Sequence, residues 1–186
     1  MSHRWCSLLL CLVAIESAFA QQPIEATGDW DHPSAGFVFP KEVGQFSRIS
    51  INRFADDYSD VSAGYALPTA YGRMVITLFV YTNGSESEKS EDDLRIHFEE
   101  MRALVGRAFA GSVKPVDASE HHWPDWRVAA VEVDTGDKPP FRSVLLLGKC
   151  GKWFTKARAS FANELIPLFE VEARVVLSLI ACPADT

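Results

Sequence analysis

The residues best able to do chemistry fall in two short stretches. His121-His122-Trp123-Pro124-Asp125-Trp126 puts two imidazoles, a carboxylate and two indoles within six positions, and Asp29-Trp30-Asp31-His32 repeats the combination near the N-terminus. Imidazole and carboxylate are suitable ligands for zinc and similar ions. The spacing argues against a metal: adjacent side chains of an extended segment point to opposite sides, and neither an H-E-x-x-H nor a paired-cysteine pattern is present. An imidazole beside a carboxylate is also the acid–base pair of a hydrolase, so His121 or His122 with Asp125 defines one enzymatic reading. The indoles offer a different chemistry, because Trp30, Trp123 and Trp126 can stack on an apolar or sugar ring. Together Trp30, His32, His121, His122, Trp123, Asp125 and Trp126 form the candidate ligand-binding set. The bland alternative is a packed structural loop around Pro124.

Other charged groups are less specific. Asp56, Asp57 and Asp60 lack the glycine and distal glutamate of a calcium loop and read as a solvated acidic turn. Lys149, Lys152, Lys156 and Arg158 make a small basic area, suited either to an acidic partner or to guarding an exposed sheet edge. No G-x-S-x-G elbow and no phosphate-binding glycine loop occurs, so no catalytic residue, metal or cofactor is assigned.

These residues must be carried by a chain whose N-terminus has its own pattern. Arg4 precedes an apolar run at 8–15 (LLLCLVAI), and Ala18-Phe19-Ala20 matches a small-residue cleavage site. The pattern predicts a secretory signal peptide over residues 1–20, and the run is too short for the roughly 20 residues of a membrane span. No later segment reads as a span. Cleavage after Ala20 leaves Cys150 and Cys182, and two cysteines in an oxidising compartment predict a disulfide, with two buried thiols as the alternative. The net charge of −7 argues against a nucleic-acid binder.

Past residue 20, an irregular leader (21–45) contains Pro23, Pro33 and Pro40, followed by a single domain over 46–186. Residues 46–54 alternate, with Ile49 and Ile51 on the face expected to be buried. Residues 61–67 return, and 73–82 (RMVITLFVYT) form an apolar run of the kind covered on both faces. Residues 90–111 read as a helix capped by Ser90 and Asp93 and stopped by Gly111, with Leu94, Phe98, Met101, Val105 and Phe109 inward. Residues 112–125 read as irregular. Strands follow at 127–134, 141–148 and 153–161, then a helix at 167–181. The expected fold is α+β: a mostly antiparallel sheet of about six strands in βββα-βββα order, with helices packed on it. Asn83-Gly84-Ser85 matches an N-glycosylation acceptor and equally a turn.

The leader pattern Gly36-Phe37-Val38-Phe39-Pro40, followed by Val43-Gly44-Gln45-Phe46-Ser47-Arg48, resembles the opening of exported bacterial proteins of uncharacterised function. The resemblance implies an α+β domain and supplies no catalytic residues. The antiparallel sheet between helices is similar to the Mog1/PsbP-like arrangement, a fold-level analogy that carries no function. The expectation is an exported, periplasmic or secreted, non-enzymatic module that binds a protein or small ligand. The alternatives are the histidine hydrolase and an inhibitor or immunity-type protein.

Overall fold

A computed structural model of the chain describes residues 21–105, 107, 109, 111–117, 123–136 and 139–182. Its strands are β1 (Gln22–Pro23), β2 (Trp30–Asp31), β3 (Val38–Phe39), β4 (Glu42–Val43), β5 (Phe46–Arg53), β6 (Asp60–Thr69) and β7 (Gly72–Tyr81). Helix α1 (Glu91–Val105) precedes β8 (Ser112–Val116), β9 (Arg127–Asp134), β10 (Phe141–Cys150) and β11 (Trp153–Ala162). A 3-10 turn, Asn163–Leu165, leads into α2 (Ile166–Leu177).

The architecture corrects the expected one. Among the described residues the protein is mostly antiparallel β, with one nine-stranded sheet, a separate β2–β3 ribbon and two helices, and it is not a six-stranded βββα-βββα domain. The main sheet runs β1-β5-β6-β7-β11-β10-β9-β8, and β4 also pairs with β5. The extra strands escape periodicity for physical reasons. β1 and β4 are two residues long and exist only through pairing with β5. β8 contains Pro115, tolerable because β8 lies at the sheet's edge.

Two apolar clusters fill the faces. On one side Phe39, Phe46, Tyr65, Met74, Ile76, Leu146 and Phe161 pack with Phe169, Ala173, Val176 and Ile180. On the other, Leu94, Phe98 and Val105 of α1 meet Val133, Leu145, Leu147 and Phe154. Consecutive leucines of β10 therefore enter opposite clusters, which is why that strand is apolar without alternation.

Two sequence expectations fail locally. The β5–β6 register shifts between Arg48 and Ser50, and this bulge leaves Ile49 half exposed instead of buried. Gly64 lies opposite, where a Cβ would come within 2.7 Å of Ser50 Oγ. Ser90 and Asp93 do form the capping box at the start of α1, with Asp93 N donating to Ser90 Oγ at 3.1 Å and Ser90 N to Asp93 Oδ2 at 2.9 Å. But α1 ends at Val105, well before Gly111. Gly111, at φ 120°, opens β8 instead, and a Cβ there would lie 2.4 Å from the Asp134 carbonyl oxygen.

The leader is tied to the sheet. Arg48 donates to the carbonyls of Phe39, Ala26 (3.0 Å) and Gly28 (2.5 Å), and Tyr65 Oη donates to Pro40 O at 2.9 Å. Of the residues in the leader pattern, Phe39, Pro40 and Arg48 take part in this clasp. At the other end of the chain, Cys150 and Cys182 form a disulfide with Cα atoms 5.1 Å apart, joining the end of β10 to the segment beyond α2. No helix among the described residues is long and apolar enough to cross a membrane.

Candidate functional site

Strand lengths create the site. β10 continues past β9: Leu147 is the last β10 residue paired with β9, opposite Arg127, while Gly148, Lys149 and Cys150 run on, paired only with β11. A cleft of about 640 Å³ opens beside this overhang, within the size range of small-ligand sites. Asp125 and Trp126 form one wall, Glu91 and Leu94 from the start of α1 another, and Cys150 and Cys182 a third.

Trp126 lies against Gly148. A Cβ on Gly148 would fall 3.3 Å from Cε3 and Cζ3 of that indole and 3.1 Å from Thr155 Oγ1, so the missing side chain gives the ring its seat. The rim is charged and internally matched: Glu91 accepts from Lys149 at 3.2 Å and faces Arg127 at 3.8 Å. These pairs are exposed enough to contribute little to stability and to exchange for a ligand's polar groups.

The remaining candidates separate. Trp30 and His32 belong to a different aromatic nest, where Trp30 stacks on Phe39 (5.9 Å between centroids) and His32 meets Trp153 edge-on at 5.2 Å. His32 is 4% exposed. Its Nδ1 accepts from the backbone N–H groups of Ser34 (3.3 Å) and Ala35 (3.1 Å), shaping the β2–β3 turn. Burial pushes its pKa down to about 4, opposed by nearby main-chain groups of Tyr58 and of His32 itself. Nε2, which carries the proton in that neutral tautomer, makes no hydrogen bond of normal geometry. His32 is therefore a neutral core imidazole. Trp123 is buried too, packed on Phe169 at 6.1 Å with the Arg174 guanidinium 4.7 Å over its ring. His121 and His122 lie outside the described residues. Of the described members of the candidate set, Asp125 and Trp126 line the cleft. Among the described residues no group of three or more His, Cys, Asp or Glu could hold a metal ion.

Sequence reasoning missed one polar constellation altogether. His97 faces inward from α1, 6% exposed. Its Nδ1 is 3.2 Å from Glu100 Oε2, and its Nε2 is 2.7 Å from Tyr81 Oη. A carboxylate only accepts, so Nδ1 carries a proton toward Glu100, and Nε2 and the Tyr81 hydroxyl share the second hydrogen bond. Burial, with Asp60 nearby, holds that phenol well above its usual range. A smaller pocket of about 270 Å³ opens beside His97 and Lys89, whose Nζ donates to Ser85 O at 2.8 Å. Both imidazole nitrogens are occupied within the protein, so the arrangement locks α1 to β7 and leaves no free nitrogen for a substrate. The signal was present: His97 sits three residues after Leu94 and beside Phe98, on the inward stripe of α1.

No family model, curated protein or solved structure matches the chain.

Proposed function

We propose that this chain is an exported, non-enzymatic binding protein that holds a small ligand in the Trp126 cleft. The carrying observation is the seating of Trp126 on Gly148 inside a cleft of small-ligand size. An indole so placed offers a stacking surface to an apolar or sugar ring, while Asp125, Lys149 and Arg127 supply the polar contacts that orient it. Export is supported by the signal pattern of residues 1–20 and by the Cys150–Cys182 bridge, which persists in oxidising compartments. Of the described histidines, His32 is buried and His97 has both ring nitrogens engaged, so neither presents a free base to the cleft; the hydrolase alternative rests on His121 and His122, which lie outside the described residues.

The test is thermal denaturation of the disulfide-bonded protein against a panel of sugars and small aromatic compounds, with calorimetry on any compound that raises Tm. A ligand whose binding is lost in Trp126→Ala, with the fold intact by circular dichroism, supports the reading. Binding that survives Trp126→Ala, or a panel and envelope extract that both leave Tm unmoved, overturns it.

A further inference from the structure

The basic area has two halves with opposite fates. Lys149 pairs with Glu91, and Lys152 pairs with Glu86. Lys156 and Arg158 make no ion pair or side-chain hydrogen bond among the described residues. Guarding an edge cannot explain them, because β11 is an interior strand, hydrogen-bonded to β7 on one side and β10 on the other.

Strand register places these two cations on an uncovered half of the sheet. Lys156 and Arg158 alternate with Ala157, which enters the cluster under α2, so both project to the α1 side. There α1 covers β9, β10 and the Tyr81 and Phe154 ends of β7 and β11, while Ser50 is exposed, Thr77, Phe79, Lys156 and Arg158 are half-buried, and Ser62, Gly64 and Ala66 of β6 are buried between them. Across that half, Lys156 lies opposite Phe79 and Arg158 opposite Thr77. Thr77 in turn lies opposite Gly64, which lies opposite Ser50. Ser50, Gly64 and Thr77 form a row of small residues beside the two adjacent positive charges, with the half-exposed Ile49 at its side. The Lys156 ammonium sits 4.1 Å from the Phe79 centroid and 5.0 Å from that of Tyr81. Asp60 is the carboxylate whose field reaches Lys156, from the row beyond, and it stops short of an ion pair.

We infer that this β5–β6–β7–β11 face is a docking surface for an acidic segment of a partner protein, whose carboxylates pair with Lys156 and Arg158. Charge complementarity carries the choice: on a chain of net charge −7, two neighbouring cations that make no ion pair among the described residues select an anionic partner. One face of a sheet, with its two cations side by side on one strand, suits an extended polypeptide better than a small anion, which binds where donors converge from several sides. The pKa of Lys156, lowered to about 8 by burial and then by Arg158 against the pull of Asp60, is relieved when a carboxylate arrives. This surface is separate from the Trp126 cleft, so either can fail without the other.

The probe is a Glu/Asp-rich dodecapeptide, titrated at low salt into the ¹⁵N-labelled, disulfide-bonded protein, with a Lys-rich peptide, inorganic phosphate and anionic phosphatidylglycerol vesicles as comparisons. Shifts confined to the amides of Gly64, Thr77, Phe79, Lys156 and Arg158 are expected with the acidic peptide, weakening as salt rises. Lys156→Gln/Arg158→Gln should weaken binding by about tenfold or more, with the remaining spectrum unchanged. Lys156→Arg keeps the charge and should bind within about threefold of the parent. The proposal is overturned if the peptide shifts other regions, if the double variant binds equally well, or if phosphate or vesicles give the same shifts at lower concentration.

Discussion

Tyr81 and His97 share a 2.7 Å hydrogen bond between β7 and α1, both side chains buried, with Glu100 closing the far side of the imidazole. The bond is a joint between helix and sheet, made by two largely buried groups. Removing either partner strands the other. Tyr81→Phe and His97→Leu should each lower unfolding free energy by about 1–3 kcal/mol. The double variant should cost less than their sum, with a coupling of about 0.5–3 kcal/mol in a urea-denaturation cycle. Strict additivity would show that the bond does not form.

His32 predicts a pH dependence. Its folded pKa of about 4 lies below the ordinary imidazole value of 6.5, so the unfolded chain binds the extra proton first. Its contribution to stability is fully present above about pH 6.5 and is lost as pH falls toward 4. His32→Asn retains an acceptor for the Ser34 and Ala35 N–H groups without a titrating ring. Denaturation midpoints between pH 7 and pH 4 should therefore fall less steeply in His32→Asn than in the parent.

Lys156 has the opposite consequence at the other end of the scale. Its pKa is lowered from 10.5 to about 8, so the folded state carries a penalty for the charge at neutral pH, which is relieved as pH rises from 8 to 10.5. Lys156→Met should leave stability at pH 7 unchanged or raised, measured by chemical denaturation, although it removes a charge that we assign to partner docking. A clear loss of stability at pH 7 would mean that Lys156 is held by favourable contacts.

The Cys150–Cys182 bridge closes a separation of 32 residues, worth about 3–4 kcal/mol by chain entropy. Cys182 is exposed, so a dithiol has access. Reduction, or Cys150→Ser/Cys182→Ser, should lower stability by about that amount and speed amide exchange at residues 178–182 and in the Trp126 wall. Exchange unchanged at both places would show that the bridge does not support the cleft.

Gly111 should be the least replaceable glycine. At φ 120° a side chain is strained in any case, and the obstructing atom is the Asp134 carbonyl oxygen, part of the backbone that pairs with β8. Gly111→Ala should cost about 2–4 kcal/mol. Gly136→Ala, with open space around its Cβ, should cost less on the same denaturation curve.

Much of the chain's local structure was legible, and its assembly was not. Runs such as 73–82 and 141–148 announce covered strands because both faces are apolar, and Ser90 with Asp93 announces the start of α1. The α+β, six-strand expectation failed because pairing of β7 with β11 is a tertiary event with no local signature, and because β1, β4 and β8 owe their existence to neighbours. Ile49 misled by alternation, since a bulge inserts one residue and turns the later side chains to the other face. At the site, the Trp126 loop could be singled out by composition. Glu91, Leu94 and Gly148 could not, because only the overhang of β10 brings them to it. His32 looked like a surface ligand because its burial depends on Trp153, more than a hundred residues away.

The Arg48 clasp holds more than the leader. By fixing residues 26–39 it keeps β1 and β4 laid along the outer side of β5, and at the opposite margin β8 presents Lys114 and Pro115. Both margins are thereby made poor templates for another molecule's strand. The leader is thus also a safeguard against polymerisation. Arg48→Ala, by loosening that covering, should leave the core folded yet allow end-to-end association through β5, seen as concentration-dependent growth in light scattering.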